Sequence, residues 1–318
     1  MTSRAAGVPL QVSYVHTARI EIHTFEAVTL TDKQFLTGAQ SGISSRIGGE
    51  LRLPSGTARI PAVILVHGSG GIGANVVRWA HLLNEMGVAA FLLDCFTGRQ
   101  IMETITDQSR LSSLTMIADA YRSLELLSTH PRIDRSRIAV MGFSKGGFAA
   151  LYSSLIRFQR LHGPSGVEFD SYIAFYPSCT TTYIEDELVS DKPIRLFHGT
   201  ADDYVSIEPC RSYFERLRRL GKDIQLNEYP GARHVFDNPL YSPPLFLADA
   251  LTTNHCPRLE RPLGEIVMLQ TGEPFSWSDS CVKRGATVGF DPHATAEATA
   301  SLMAFLHERF RLRHQLQT

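Results

Sequence analysis

The chain has 318 residues, 43% of them hydrophobic, so it is long enough to bury one large core or two small ones. Its 31 basic and 32 acidic residues nearly cancel, and no overall charge favours a nucleic acid, an anionic membrane or a polycationic partner. Apolar runs such as 61–66 are strand-sized and fall far short of the roughly 20 residues that span a bilayer. We therefore expect no nucleic-acid partner and no membrane span.

Hydrophobic periodicity predicts strands and helices in alternation along most of the chain. In chain order the predicted elements are strands at 48–54 and 62–66, a helix at 76–86, a strand at 88–93, a helix at 111–127, a strand at 137–142, a helix at 146–157, strands at 172–176 and 194–197, a helix at 208–220, a strand at 224–229 and a helix at 295–310. Fully apolar strands separated by helices are typical of a sheet covered on both faces. The sequence therefore predicts an α/β fold with a doubly wound, mostly parallel sheet.

Two regions depart from this alternation. Residues 1–45 are predicted to form a strand-rich extension, with strands at 12–15, 19–23 and 27–30, ahead of a domain over 46–318. Residues 235–292 are too long for a plain connection, and Phe275, Trp277 and Phe290 favour a packed lid or insert over disorder. The first 30 residues lack the continuous apolar stretch of a secretory signal, so we expect a cytoplasmic protein.

The cysteines and histidines indicate no metal centre. Cys95, Cys179, Cys210, Cys256 and Cys281 are scattered without CxxC spacing. We expect most of them to be small buried hydrophobes, with a Cys256–Cys281 disulfide across the insert as the alternative. The histidines outside the motifs described below lack metal-ligand spacing with carboxylates or cysteines, so we predict neither a metal nor a cofactor.

A nucleophile motif stands between a predicted strand and a predicted helix. Residues 142–146, Gly-Phe-Ser-Lys-Gly, match the pattern GxSxG, in which a sharp turn exposes the serine hydroxyl at the start of a helix. The pentapeptide alone is weak evidence, but the strand–turn–helix context is the one that the α/β-hydrolase fold requires. The sequence therefore predicts Ser144 as a nucleophile.

A serine hydroxyl needs an adjacent base, and that base needs a carboxylate to hold its tautomer. In the α/β-hydrolase fold these partners follow the serine in the order acid, then histidine, each after a strand. The strand at 194–197 leads into Asp202 and Asp203, and the strand at 224–229 leads into His234. We predict His234 as general base and Asp202 as the acid, with Asp203 as the alternative.

The oxyanion of an acyl-transfer intermediate needs backbone N–H donors close to the nucleophile. One donor is expected from Lys145, the residue after the serine. The other is expected from the glycine-rich loop at 67–71, where Ser69 is the first choice and Gly70 the second. Glycines there allow the backbone to approach a substrate carbonyl.

Four motifs together resemble the dienelactone hydrolase family: His-Gly-Ser-Gly-Gly at 67–71, Gly-Phe-Ser-Lys-Gly-Gly at 142–147, His-Gly-Thr-Ala-Asp at 198–202 and Tyr-Pro-Gly-Ala-Arg-His at 229–234. The resemblance covers about residues 45–312 and implies an α/β-hydrolase fold with Asp202 as the acid. It also implies that Arg99 faces a substrate carboxylate, although a surface salt bridge is an equal alternative for this residue. Dienelactone hydrolases proper use a cysteine nucleophile, so Ser144 favours a more general esterase.

The pocket is predicted to be shaped by Phe96, Arg99, Tyr204 and the insert, with His67 either touching the substrate or bracing the oxyanion loop. The predicted function is hydrolysis of a small carboxylic ester or lactone through an acyl-enzyme. An acyltransferase with the same triad and a non-catalytic binding protein of this fold are the alternatives; a peptidase of this fold would usually carry a further large domain. A homodimer is also possible.

Overall fold

The computed structural model describes residues 18–312 and is built around one eight-stranded sheet. The strands are β1 Arg19–Thr29, β2 Ile43–Leu53, β3 Ile60–Val66, β4 Ala89–Asp94, β5 Ile133–Phe143, β6 Tyr172–Phe175, β7 Thr181–Thr182, β8 Ile194–Gly199, β9 Ile224–Tyr229, β10 Leu245–Thr252, β11 Arg258–Arg261, β12 Glu265–Met268 and β13 Lys283–Val288. The α-helices are α1 Asp32–Leu36, α2 Ala74–Glu85, α3 Ser113–Ser128, α4 Lys145–Tyr152, α5 Ile156–His162, α6 Glu208–Arg219 and α7 Pro292–Arg309. Short 3₁₀ turns lie at Thr97–Arg99, Gln108–Arg110 and Pro239–Tyr241.

The central sheet has the order β1-β2-β4-β3-β5-β6-β8-β9 and is parallel from β4 to β9. Strand β3 has no polar side chain, because helices cover both of its faces. One face packs against a core that includes Leu114 and Tyr152, from α3 and α4. The other packs against a core that includes Trp79 and Leu302, from α2 and α7. This confirms the predicted doubly wound α/β fold.

The described part of the predicted N-terminal extension lies within the main sheet. The strands predicted at 19–23 and 27–30 form the single strand β1, which pairs antiparallel with β2 along its whole length, from Arg19 opposite Leu53 to Thr29 opposite Ile43. Its alternate residues face inward, and Ala27 is buried in the core. Residues 18–45 therefore complete the sheet edge instead of standing apart from it. The strand predicted at 12–15 lies outside the described residues.

The insert at 235–292 is ordered into two small sheets. Strands β10 and β13 pair antiparallel, and β12, β11 and β7 form a three-stranded sheet. Strand β7 follows β6 of the central sheet and pairs in parallel with β11, so the insert shares backbone hydrogen bonds with the core domain. We call the segment from β10 to β13 the cap.

Two disulfide bonds brace the cap and the loop beneath it. Cys256 is joined to Cys281 within the cap, and Cys179, next to β7, is joined to Cys210 on α6. Cys95 is free and buried. The expectation that most cysteines are unpaired was therefore wrong. The bonded cysteines are separated by 31 and by 25 positions in the sequence, and these separations match no disulfide motif, so only the fold shows that they meet.

We predict one reactive thiol per chain when the protein is unfolded without a reductant. Treatment with a reductant before unfolding should raise that number to five, because both disulfides open. Titration with a chromogenic disulfide reagent measures both values. A finding of five thiols without reductant would contradict both bonds, and three would contradict one of them.

Candidate active site

The predicted nucleophile lies on a sharp turn between β5 and α4. Ser144 has φ 54° and ψ −113°, a backbone conformation that costs a non-glycine residue energy and recurs at functional sites. Its N–H donates to the Phe175 carbonyl at 2.9 Å, which holds the turn. A Cβ at Gly146 would lie 2.0 Å from the Val66 carbonyl oxygen, so only glycine lets α4 start this close to β3. The turn leaves Ser144 partly exposed beside a cavity.

Three of the predicted site residues form one chain of hydrogen bonds. The Ser144 hydroxyl lies 2.9 Å from His234 Nε2, and His234 Nδ1 lies 2.7 Å from Asp202 Oδ2. Because a carboxylate can only accept, Nδ1 carries the ring proton and Nε2 is free to accept the serine proton. His234 and Asp202 are both more than nine-tenths buried. This arrangement can transfer a proton from the serine to the imidazole, and the carboxylate would stabilise the resulting imidazolium.

The two neighbouring aspartates have different partners. Asp202 accepts the N–H groups of Tyr204 and Val205 through its second oxygen, at 3.0 and 2.8 Å, so its carboxylate is fixed on the side facing His234. Asp203 instead points to the cap, where it accepts the N–H and the hydroxyl of Thr287. Of the two alternatives, the structure brings only Asp202 into contact with the histidine.

A buried polar network behind His234 was not predicted from the sequence. The ring of Tyr176 packs against His234 with centroids 4.8 Å apart. Its hydroxyl donates to Asp237 at 2.7 Å, and Asp237 also accepts Trp79 Nε1–H at 2.8 Å. Burial raises the pKa of Asp237. Asp237 follows His234 by three residues, and the network therefore anchors the loop that carries the histidine. No sequence motif marks it.

The glycine-rich loop lies directly against the nucleophile. A Cβ at Gly68 would lie 3.4 Å from the Ser144 Cβ. Ser69 lines the cavity and its carbonyl accepts the Thr104 N–H at 2.8 Å, which fixes the loop, whereas Gly70 is exposed and does not line the cavity. The Lys145 N–H is the first in α4, where helical N–H groups lack an intrahelical acceptor. Ser69 and Lys145 are thus better placed as oxyanion donors than Gly70.

His67 and Phe96 support this loop from behind and do not line the cavity. His67 is fully buried; its Nδ1–H donates to the Gly68 carbonyl at 2.8 Å and its Nε2 accepts the Cys95 N–H at 3.2 Å. Burial lowers the pKa of His67, which favours this neutral ring. Phe96 packs edge-on against it with centroids 4.3 Å apart. The prediction of a substrate contact was wrong for Phe96, and of the two roles considered for His67 the structure supports bracing.

The side chain of Lys145 links the nucleophile turn to the same loop. Its Nζ donates to the backbone and side-chain oxygens of Gln108, both at 3.1 Å, and Gln108 Nε2 donates to Ser69 Oγ at 3.0 Å. Burial lowers the pKa of Lys145 to about 7. Gln108 lies on a 3₁₀ turn within an irregular connection, and no motif or periodicity marks this residue in the sequence. It joins the two segments that carry the candidate oxyanion donors.

Arg99 forms a salt bridge, the alternative to a substrate contact, but this salt bridge is buried and does not lie on the surface. Its guanidinium pairs with both oxygens of Asp119 on α3, at 2.7 and 2.9 Å, and also donates to Thr29 Oγ1 and the Cys95 carbonyl. Only 4% of the side chain is exposed, and it does not line the cavity. Arg99 is thus a buried structural residue that ties β1 and α3 to the loop after β4. The substrate contact implied by the family resemblance is absent.

The cavity next to Ser144 has a volume of about 1100 Å³ and extends under the cap. Tyr204, predicted to shape the pocket, lines it and packs beside His234 with ring centroids 4.9 Å apart. Phe275 and Trp277 from the cap also line the cavity. The insert therefore forms a wall of the pocket, as the sequence predicted.

A second cluster of polar side chains, outside this cavity, consists of Glu21 and His23 on β1 and His130 between α3 and β5. Glu21 Oε2 is 2.9 Å from His23 Nε2 and 3.1 Å from His130 Nε2, so the ligand atoms are close enough to surround a metal ion. However, the Arg132 N–H donates to His130 Nδ1, which leaves the proton of the neutral ring on Nε2, where it donates to Glu21. The hydrogen bonds within this cluster account for it without a metal.

Comparisons with known proteins find relatives in sequence and in fold. The chain is 27% identical over 203 residues to acyl-protein thioesterase 1 of Emericella nidulans, covering 55% of this chain and 83% of the relative. It is 24% identical over 220 residues to a probable 2-oxo-3-(5-oxofuran-2-ylidene)propanoate lactonase of Bradyrhizobium sp, covering 63% and 85%. A dienelactone hydrolase-like promiscuous phosphotriesterase from metagenomic libraries shares the fold, with a TM-score of 0.55, 18% identity and coverage of 91% and 99%.

A family model adds the decisive match. The model of the dienelactone hydrolase family matches residues 47–252, about two thirds of the chain. The match contains the nucleophile turn, both aspartates, the histidine and the glycine-rich loop. It stops before β11, so most of the cap lies beyond it. On this match, the chain belongs to the dienelactone hydrolase family.

Proposed function

We propose that Ser144, His234 and Asp202 are the catalytic triad of a serine hydrolase that cleaves carboxylic esters or lactones. The observation that carries the proposal is the continuous hydrogen-bond chain from Ser144 Oγ through His234 to Asp202, at the edge of a large cavity. Membership of the family supports hydrolase chemistry. The named activities of the two relatives, a thioesterase and a lactonase, also support attack on an acyl carbonyl.

In the proposed mechanism, Ser144 Oγ attacks the substrate carbonyl while His234 Nε2 takes the hydroxyl proton. The negative charge on the former carbonyl oxygen is held by the N–H groups of Lys145 and Ser69. Collapse of this intermediate expels the alcohol, which receives the proton from His234, and leaves an acyl-enzyme on Ser144. A water molecule then gives a proton to His234 and attacks the acyl carbon, and collapse of this second intermediate releases the acid while His234 returns the proton to Ser144 Oγ.

Labelling with a fluorophosphonate tests this proposal. These reagents form a covalent bond with an activated serine, so we expect stoichiometric loss of the fluoride and a mass increase on the peptide that contains Ser144. Heat-unfolded protein provides the control and should remain unlabelled, because activation needs the folded contact with His234. Absence of labelling in the folded protein, or labelling confined to another serine of the cavity such as Ser178, would contradict the proposed nucleophile.

The cellular compartment is a separate question. Within residues 18–312, no helix is long and apolar enough to cross a membrane. The cytoplasmic location expected from the sequence stays a prediction, and two features weigh against it: the Cys179–Cys210 and Cys256–Cys281 disulfides, which are typical of oxidising compartments.

A further inference from the structure

Arg258, on strand β11 of the cap, is an arginine of the cavity wall without an acidic partner. Its guanidinium makes one side-chain hydrogen bond, from Nη2 to Thr180 Oγ1 at 2.9 Å, and lies 4.7 Å from the centroid of the Phe275 ring. Its Nε–H is buried and has no acceptor. Among residues 18–312, no carboxylate forms an ion pair with it. A partly buried cation left in this state is unfavourable unless something in the cavity compensates its charge.

Two other arginines of this protein with little exposure are paired with carboxylates, whereas Arg78 on α2, which donates to Thr299 and forms no ion pair within residues 18–312, does not line the cavity. Arg99 binds Asp119 and Arg157 binds Glu260, each through two hydrogen bonds to the carboxylate. Glu260 lies two residues along the same strand as Arg258, but both of its oxygens are occupied by Arg157. The carboxylate with an electrostatic influence on Arg258 is that of Asp32, which is exposed and bound to the Ser112 hydroxyl. Arg258 is therefore free to bind an anion.

Arg258 and Ser144 line the same cavity, and apolar and aromatic side chains line it with them. Phe148, one helical turn after Ser144, faces Tyr183 with ring centroids 6.2 Å apart, and Tyr183 is close enough to Arg258 to affect its electrostatics. Ile266, on the adjacent cap strand, lines the same space. At about 1100 Å³, the cavity exceeds what a short ester would fill.

We propose that Arg258 binds a carboxylate at the far end of the substrate, and that the enzyme prefers esters in which an apolar chain separates the scissile carbonyl from this carboxylate. The proposal rests on the proposed ester hydrolysis at Ser144. Arg258 lies outside residues 47–252, so this site is not part of the segment that the family model matches. Arg258 would thus bind the carboxylate that the sequence analysis placed next to Arg99, whose guanidinium is paired with Asp119.

The chemistry of the guanidinium favours a carboxylate. Its planar N–H groups match a carboxylate in two parallel hydrogen bonds, and it stays charged across the whole working pH range. A single carboxylate carries the charge that neutralises this guanidinium. When no substrate is bound, water in the cavity can solvate the guanidinium, and the substrate carboxylate then replaces that water.

Matched ester pairs test the proposal. The charged series consists of the mono-p-nitrophenyl esters of adipic, suberic and sebacic acids, and the neutral series of p-nitrophenyl hexanoate, octanoate and decanoate. We expect the wild type to prefer the charged ester at one or more chain lengths by about tenfold in kcat/KM, mainly through a lower KM. Arg258→Gln should lose about 10- to 100-fold on the charged esters and change little on the neutral ones. Arg258→Lys should fall between them, because it keeps the charge without the planar donor pair.

Lys33→Gln is the matched control, since Lys33 is a cation that lines the same cavity but is exposed. Its removal should have a small effect that vanishes at high salt. Equal losses on charged and neutral esters in Arg258→Gln, equal losses in Lys33→Gln, or no preference of the wild type for charged esters would overturn the proposal.

Binding without turnover separates this proposal from the proposed function. Suberic acid mono-p-nitrophenyl ester should bind Ser144→Ala about tenfold or more tightly than it binds the double variant Ser144→Ala/Arg258→Gln, as measured by calorimetry. If the wild type cleaves no ester but this difference is found, the proposed reaction fails and the carboxylate site stands. If esters are cleaved and the two variants bind equally, the carboxylate site fails alone.

Discussion

Ser144→Ala is expected to lower kcat for an activated ester such as p-nitrophenyl butyrate by on the order of 10⁴- to 10⁶-fold, the loss typical when a triad nucleophile is removed. Without Oγ no acyl-enzyme forms, and the donors of the oxyanion loop can only assist attack by water. The thermal unfolding temperature should stay close to that of the wild type, because the turn is held by the backbone bond to Phe175 and by the glycines around it. Steady-state kinetics and a thermal melt measure the two quantities.

Ser178→Ala provides the control for this experiment. Ser178 also lines the cavity, and its hydroxyl lies 3.1 Å from that of Thr180, away from the histidine. We expect its activity to stay within a few-fold of the wild type. Turnover of Ser144→Ala at a rate near that of the wild type would remove Ser144 from the mechanism, whatever the control shows.

The second large effect is expected from Asp202→Asn. In the wild type, the Asp202 carboxylate accepts the proton on His234 Nδ1. An asparagine that turns its amide N–H towards the ring would donate to Nδ1 instead, so the ring proton would move to Nε2. Nε2 then cannot accept the proton of Ser144. We expect kcat to fall by about 10⁴-fold at neutral pH, as is typical when a triad aspartate is replaced in this way.

Asp203→Asn is the matched variant, since it makes the same chemical change at the adjacent residue. An asparagine there can still accept the Thr287 N–H through its side-chain oxygen, so cap and catalytic loop should stay connected. Activity is expected to remain within a few-fold of the wild type. A large loss in Asp203→Asn together with an active Asp202→Asn would reverse the assignment of the acid.

The parts of this protein that the sequence predicted well depend on local patterns. An apolar run of strand length needs no partner to be recognised, and the nucleophile turn is specified within residues 142–146. The order of Asp202 and His234 after Ser144 follows from where parallel strands end. The choice between Asp202 and Asp203 needed the three-dimensional structure. The two residues are adjacent in the chain, but the carboxylate of Asp202 binds His234 and that of Asp203 binds Thr287.

What the sequence could not supply depends on contacts between distant segments. The sequence left Arg99 open between a substrate contact and a surface salt bridge, because its partner Asp119 lies on α3, 20 residues away, and meets it only in the folded protein. Cys179 and Cys210 likewise meet only because the fold brings α6 next to the loop between β6 and β7. No sequence pattern marked Arg258 as a candidate site residue. Whether an arginine is paired depends on which carboxylates lie near it in the folded protein. Each of these features needs the tertiary structure.

The hydrogen bonds between β13 and the catalytic loops restrict how this enzyme can be engineered. The Gly289 N–H donates to the His234 carbonyl, and Val288 and His234 form an isolated bridge. Replacing the whole cap would therefore disturb His234, the proposed general base, as well as the pocket. A change in specificity could then not be separated from a loss of turnover. Directed evolution should instead keep the cap backbone and vary only the side chains that face the cavity.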